Sequence, residues 1–164
     1  MSAAARMEGQ SGKLRMAFAI DPDWIDYNDH LNMARYPIMF DRAIDGLIDT
    51  IGLSSDPGEG RTLFALEAKL GYINAVVLRD RPTVETIVLR IDSKRVHSWQ
   101  TMRVGERIVA TCENLHICVD RRADGASAAP LPDAVRLALE RLVVPLADWP
   151  NDVQQPVASR LATP

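Results

Sequence analysis

The chain has 164 residues, of which 47% are hydrophobic and 25% charged, with 9 glycines and 10 prolines. That length and balance fit one globular domain and exclude a collagen, a coiled coil or a largely disordered chain. Nineteen basic against 22 acidic side chains leave a formal charge of -3, and no stretch gathers enough Lys or Arg to follow a phosphate backbone, so no nucleic-acid partner is expected. The longest apolar runs, such as Met16 to Ile20, fall far short of the roughly 18–20 residues that cross a bilayer, and no membrane partner is expected either. The first twenty residues lack a continuous apolar segment followed by a small-residue cleavage site, which points to a cytoplasmic protein.

In chain order, a polar leader over 1–13 is expected to be flexible, and a domain is expected over 14–146. Met16 to Ile20 reads as a short strand ended by the turn-forming Asp21-Pro22-Asp23. Between Met33 and Ile51, Phe40, Ala43, Ile44, Leu47, Ile48 and Ile51 recur at helical steps, with Asp41, Arg42, Asp45 and Asp49 on the other face. Pro37 belongs in the first turn of that helix, and Gly52 stops it. The period then changes to two: Phe64, Leu66, Ala68, Leu70 and Tyr72 are expected to share one strand face. Thr83 to Val104 predicts one long bent strand or two, and Ile108 to Val119 another after the turn at Gly105-Glu106-Arg107. Residues 132–144 return to a helical pattern with Pro132 in the first turn, and 147–164 are expected to be an irregular tail. One long helix ahead of several long strands is an α+β layout, and because one helix leaves sheet edge and apolar area uncovered, oligomerisation is expected.

Cys112 and Cys118 lie six apart in one strand, about 20 Å at the usual rise, so they cannot bridge within it. With three dispersed histidines and no C-x-x-C, metal-ligand spacing is missing, and no cofactor is expected. His116 and the two cysteines share a strand face and read as core or interface residues, while His97 reads as a packed or surface histidine.

The chemistry concentrates in residues 24–36, Trp-Ile-Asp-Tyr-Asn-Asp-His-Leu-Asn-Met-Ala-Arg-Tyr. A carboxylate, an amide and an imidazole at Asp26, Asn28 and His30 stand just before a helix whose first N–H groups favour developing negative charge, a layout suited to acyl transfer. Read by residue type alone, the same segment also fits a polar loop that caps the helix.

The string W-I-D-Y-N-D-H-L-N-x-A-x-Y, with Phe40-Asp41-Arg42-Ala43 and Gly-Glu-Gly-Arg-Thr-Leu-Phe at 58–64, resembles the hotdog-fold thioesterases of the 4-hydroxybenzoyl-CoA thioesterase-like superfamily. It is most similar to the branch that includes betainyl-CoA thioesterases, whose usual form is D-Y-N-G-H-M-N-V-x-Y-Y. Further matches are Leu70-Gly71-Tyr72, Ser93-Lys94-Arg95-Val96-His97 and Ala110-Thr111-Cys112-Glu113. The resemblance implies a curved antiparallel sheet wrapped round one long central helix, assembled as a homodimer or homotetramer. It implies an acyl-CoA substrate and a catalytic Asp26 acting as nucleophile or general base, with Asn28 orienting the water or substrate carbonyl and His30 holding the carboxylate or assisting proton transfer. Asp29 replaces the usual Gly, and Ala75 stands where relatives often carry a glutamate. Two other readings of the resemblance stay open: a non-catalytic acyl-CoA-binding hotdog, and a hydratase or dehydratase. Asp41 and Asp45 are alternative carboxylates, because another hotdog subgroup places its carboxylate on the central helix. Arg61, Arg79, Arg81, Arg95 and Arg103 are candidates for the coenzyme A phosphates.

Overall fold

The computed structural model describes residues 6–7, 12–54, 58 and 60–153. Most of the leader, Glu59 and the tail beyond residue 153 lie outside the described residues. Seven strands form one antiparallel sheet: β1 (Arg6–Met7), β2 (Lys13–Ala17), β3 (Gly60–Tyr72), β4 (Thr83–Ile91), β5 (Arg95–Val104), β6 (Arg107–Arg122) and β7 (Gly125–Ala128). Their order is β1-β2-β4-β5-β6-β3, with β7 also paired to β6. Helix α1 (Arg35–Thr50) lies on one face, and α2 (Asp133–Glu140) closes one end of the same layer.

α1 forms where the 3.6-residue pattern predicts it, with Pro37 in the first turn and Gly52, at φ +81°, just past its end. Its buried stripe includes Met39, Phe40, Ala43, Ile44, Leu47 and Ile48. Those side chains meet Met16, Val84, Met102 and Cys112 at one end and Leu14, Leu63, Val96 and Cys118 at the other. Burying each large apolar side chain contributes about 1.5–3 kcal/mol, so this layer is the main source of stability.

The strand region resolves into two strands over Thr83–Val104, turned by Asp92, whose Oδ1 accepts from the N–H groups of Lys94 and Arg95. Gly105, at φ +57°, begins the two-residue connection from β5 to β6, a conformation that favours glycine. The strand expected at Met16 to Ile20 is β2, which starts at Lys13, earlier than expected, because it pairs with β4 from Ile87 down to Thr83.

Two expectations are corrected. The register of β3 on β6 shifts between Ala65 and Glu67, which leaves Leu66 as an extra residue. Leu63 and Ala65 face the α1 side with Cys118 and His116, Phe64 faces away, and Ala68 and Leu70 resume the α1 side after the bulge, so no single face carries all five apolar positions. The second helix is shorter than its pattern: it ends at Glu140, and Pro132 caps it from outside the helix rather than from the first turn. Val143 bridges Val88 in parallel and Val144 N–H bonds Val88 C=O at 3.0 Å, so pairing to the sheet ends the helical run. These residues occupy the edge of β4 where β2 gives out, and Gly12, at φ +66°, leaves room for Leu142.

Residues beyond 144 pass to the opposite face. There Trp149 stacks edge-on over His97 at 5.9 Å and joins Ile87, Leu89, Trp99 and Val144. His97 is fully buried and its Nε2 lies 2.9 Å from Glu113. Burial pushes the His97 pKa down against the pull of that carboxylate. Cys112 and Cys118 are both free and buried on the α1 side, together with His116.

Burial drives the His116 pKa from its ordinary 6.5 down to about 4. Between those values the unfolded chain takes up a proton that the folded one refuses, so stability is intact above pH 6.5 and falls as the pH drops toward 4. The His116 share of that loss should be about 3 kcal/mol at most. Chemical denaturation at stepped pH should show it, and His116→Gln should flatten the slope in that window.

Candidate active site

Residues 21–36 form a compact structure held by short-range hydrogen bonds. Asp21 Oδ1 caps the turn Pro22–Trp24 through Asp23 N–H at 3.0 Å. Ile25 and Leu31 pair as an antiparallel bridge, Asp26 N–H donates to His30 C=O at 2.8 Å, and Asp29 N–H returns to Asp26 C=O at 3.1 Å. Inside this miniature hairpin, Asp26 Oδ1 accepts from Asn28 N–H at 2.8 Å and, more weakly, from His30 N–H at 3.4 Å. The spacing that suggested a catalytic triple is also what an Asx turn requires, since a short carboxylate reaches the amide two residues on. One carboxylate oxygen is therefore engaged in orienting Asp26.

Asn32 N–H closes the segment on Trp24 C=O at 2.8 Å, and two bonds fix it to the rest of the domain: Leu31 N–H to Val76 C=O at 2.7 Å, and the Tyr72 hydroxyl to Met33 C=O at 3.3 Å. A cavity of about 450 Å³ opens between the hairpin and the end of β3, with Asp26, His30, Tyr36, Tyr72 and Ala75 in its wall. Asp26 and His30 thus share one cavity. The Asn28 side chain is not part of its lining, and Asn28 acts on Asp26 through its main chain. Ala75 occupies the wall as a small residue, its carbonyl bonded to Arg107 Nη1 at 2.8 Å.

Three residues without a role in the sequence reading matter here. Asn32 prepares the helix start: its Oδ1 accepts from Ala34 N–H and its carbonyl from Arg35 N–H, both at 2.9 Å. Pro37 has no N–H and the Arg35 N–H is bonded to Asn32 C=O, which makes the Tyr36 N–H the first-turn candidate to meet negative charge. The Tyr36 and Tyr72 rings meet edge to face at 5.3 Å. Burial raises the Tyr36 pKa, which keeps its hydroxyl protonated, and the hydroxyl faces the Val76 amide. The signal for the tyrosines was their place in the motif string; their contact depends on the sheet.

Asp41 and Asp45 are kept apart from Asp26. Asp41 borders a separate groove of about 300 Å³ between α1 and β3, with Phe40, Ala68, Cys112 and His116. Asp45 is on α1 beside Asp41 and Asp49, and burial together with those carboxylates raises its pKa. A larger cavity, about 750 Å³, is on the opposite sheet face among Glu85, Trp99, Arg103 and Arg141, and of its lining only Ile73 borders the Asp26 cavity. Among the described residues, no group of three or more His, Cys, Asp or Glu is placed to hold a metal.

Asp29 has φ +60°, the left-handed region that glycine enters without cost. The glycine usual at this place in similar motifs therefore serves the turn, and Asp is among the side chains that tolerate it. Asp29→Gly should keep activity and leave the melting temperature unchanged or raised. Asp29→Val, β-branched, should cost about 1–2 kcal/mol in thermal unfolding because it cannot relax into that region.

A family model for the thioesterase-like superfamily matches residues 20–155. A betainyl-CoA thioesterase of Pseudomonas aeruginosa is 33% identical over 132 residues, covering 74% of this chain and 77% of that one. An L-carnitine dehydrogenase/betainyl-CoA thioesterase of Agrobacterium fabrum is 33% identical over 126 residues, 75% of this chain but only 25% of that longer protein. Among solved structures, the hypothetical protein SAV2348 of Staphylococcus aureus, in complex with CoA, superposes with a TM-score of 0.73 at 21% identity, covering 100% of this chain and 98% of that one. Slr0204 of Synechocystis, a 1,4-dihydroxy-2-naphthoyl-CoA thioesterase, gives 0.66 at 15% identity over 77% of this chain and 95% of its own. These two likenesses show the shared α+β hotdog fold. With a family model spanning the hairpin, α1 and strands β3 to β7, the chain belongs to the thioesterase-like superfamily and is a thioester hydrolase.

Proposed function

We propose that the protein hydrolyses a small acyl-CoA thioester in the cytoplasm, with Asp26 as general base or nucleophile. The observation that carries this is the hairpin that holds one oxygen of Asp26 on backbone amides and presents the residue, beside His30, to the cavity at the start of α1. As general base, Asp26 takes the proton of a water that attacks the carbonyl carbon. As nucleophile, it forms an acyl-enzyme anhydride that water then opens. In either route negative charge grows on the carbonyl oxygen, the Tyr36 N–H at the positive end of α1 stabilises it, and the C–S bond breaks to release CoA thiol.

The substrate favoured by the cavity is betainyl-CoA, the substrate in the names of the relatives above. In that thioester a quaternary ammonium is one methylene from the reacting carbonyl, so its binding groups must stand beside the catalytic carboxylate. Tyr27, Tyr36 and Tyr72 line the same cavity as Asp26, and aromatic rings attract such a cation.

A thiol-release assay over short, branched and aromatic acyl-CoAs tests the reading, with betainyl-CoA set against its neutral isostere tert-butylacetyl-CoA. Betainyl-CoA should be preferred by about two- to thirtyfold, the range of a cation–π contact. Asp26→Asn should lower kcat by about 10²–10⁴ with the fold intact by circular dichroism. Asn28→Ala and His30→Ala should lose less, Asn28→Ala least because its N–H survives. A folded Asp26→Asn protein with wild-type kcat would reject the assignment.

A second copy of the chain completes the assembly in this reading. β3 has 13 residues, lies at the end of the sheet, and exposes Phe64, Leu66 and Tyr72 by 46%, 46% and 48%. A long apolar edge of this kind is stable in water when another strand covers it. Light scattering at micromolar concentration should give a dimer or tetramer, and Leu66→Lys should shift it toward monomer. A wild-type monomer would rule the assembly out.

A further inference from the structure

The hairpin that carries Asp26 has two sides, and the bonds from the sheet reach one of them. Val76 and Tyr72 bond Leu31 and Met33, on the side that returns toward α1. The outgoing side, Trp24 to Asp26, meets the polar face of α1 in another way. The guanidinium carbons of Arg35 and Arg42 each stand 5.8 Å from the centre of the Trp24 ring. These arginines are about two helical turns apart, so they share one face of α1. Arg35 is the first residue of the helix, where the dipole disfavours a cation, and no acidic side chain stands in the first turn to offset it. Among the described residues neither arginine forms an ion pair, although Arg42 acts at longer range on Asp45. The Trp24 ring is the attractive partner close to both, since an aromatic face draws a guanidinium at this range.

We propose that Trp24 is a positioning residue for the reaction: its ring, engaged by Arg35 and Arg42, locks the side of the hairpin that carries Asp26 to the first two turns of α1. The inference rests on the thioesterase reading and adds what sets the spacing of the two groups that act on the carbonyl. Trp24 precedes Asp26 by two residues, and Arg35 adjoins Tyr36, whose N–H is the one proposed to meet the oxyanion. The contact between Trp24 and Arg35 therefore joins the segment that holds the carboxylate to the segment that holds the amide.

Backbone bonds carry that contact through to the carboxylate. Trp24 N–H donates to Asp21 C=O at 2.9 Å and Trp24 C=O accepts from Asn32 N–H at 2.8 Å, so the residue is held on both sides. Ile25 then bridges Leu31, and Asp26 N–H bonds His30 C=O at 2.8 Å, which leaves little slack between the ring and the carboxylate. The ring is half-buried and packs on the core cluster that includes Ile20, Leu31, Tyr36 and Phe40. Trp24 is absent from the lining of the Asp26 cavity, so it acts through Asp26 and not on the substrate. Its effect is to keep a carboxylate and an amide in register, where a misplacement of about 1 Å slows a reaction severely.

The test sets Trp24→Leu, which keeps an apolar side chain and removes the ring, against Trp24→Phe, which keeps a ring, and adds Arg42→Met and Arg42→Lys on the exposed surface of α1. Trp24→Leu should lower kcat by about 5- to 50-fold with KM within about twofold, and Trp24→Phe should restore most of the loss. Arg42→Met should lower kcat by about two- to fivefold, and Arg42→Lys by less because a cation remains. In an Asp26→Asn background Trp24→Leu should cost nothing further, since no carboxylate is left to position. Hydrogen exchange read by NMR at the Asp26 and Asn32 amides should quicken about three- to tenfold in Trp24→Leu and not in Trp24→Phe, with Val96 in β5 unmoved. A folded Trp24→Leu protein with wild-type kcat, a loss that Trp24→Phe does not restore, or an undiminished further loss in the Asp26→Asn background would overturn the proposal. If Trp24→Leu does not fold, Arg42→Met decides: a lowered kcat supports the lock and a wild-type kcat overturns it. Should no thioester be hydrolysed, or should Asp26→Asn keep wild-type kcat, the functional reading fails instead, and exchange decides the lock: quicker exchange at Asp26 in Trp24→Leu or Arg42→Met supports it, unchanged exchange overturns it.

Discussion

The docking of α1 on the sheet depends on one buried chain of polar contacts. Gln100 Nε2 donates to Phe40 C=O at 2.9 Å and to Thr86 Oγ1 at 3.1 Å. Its Oε1 accepts from Asn114 Nδ2 at 3.0 Å, and Asn114 Oδ1 accepts from the Cys112 thiol at 3.2 Å. Apolar contacts alone would tolerate a helix shifted along its axis, because burial is non-directional. A hydrogen bond to one particular helical carbonyl does not, since a shift would leave buried amides unpaired at about 1–3 kcal/mol each. The chain thereby sets where the first turn of α1 stands, and with it the Tyr36 amide and ring. Burial raises the Cys112 pKa to about 12, so that thiol serves as a donor in the network and not as a nucleophile.

Around that fixed helix the site combines two kinds of order. The hairpin that carries Asp26 is held by contacts within a dozen residues, down to the left-handed turn at Asp29. Its placement is tertiary: Tyr72 at the end of β3 and Val76 in the connection after it hold the hairpin, Arg107 of β6 holds the Ala75 carbonyl, and Tyr72, Ile73, Asn74 and Ala75 supply the opposite wall of the cavity. A locally stable hairpin pressed against a rigid sheet end keeps the carboxylate oriented, the preorganisation that the proposed chemistry requires.

The other face of the sheet follows a different logic. There the chain after α2 continues the edge of β4 and lays Trp149 over the buried His97–Glu113 pair. A buried pair of this kind adds little net stability and is costly to break on one side. Covering it allows strands β5 and β6 to be buried on both faces, while β3, at the sheet end, keeps its outer side open.

The sequence by itself determined the local structure. The stripe on α1, the stop at Gly52, the turn at Gly105 and the hairpin spacing of Asp26, Asn28 and His30 are all set by side chains within a few residues, where periodicity and turn chemistry act directly. The motif string also carried the family. What only the tertiary structure decided depends on strand pairing: the bulge at Leu66, which reverses the faces of β3, and the early end of α2, where pairing of Val143 and Val144 to β4 overrode a helical pattern. The same holds for the site. That Asp41 faces another groove and that Arg107 reaches the Ala75 carbonyl both follow from register between segments far apart in the chain, and no spacing along one strand or helix encodes that.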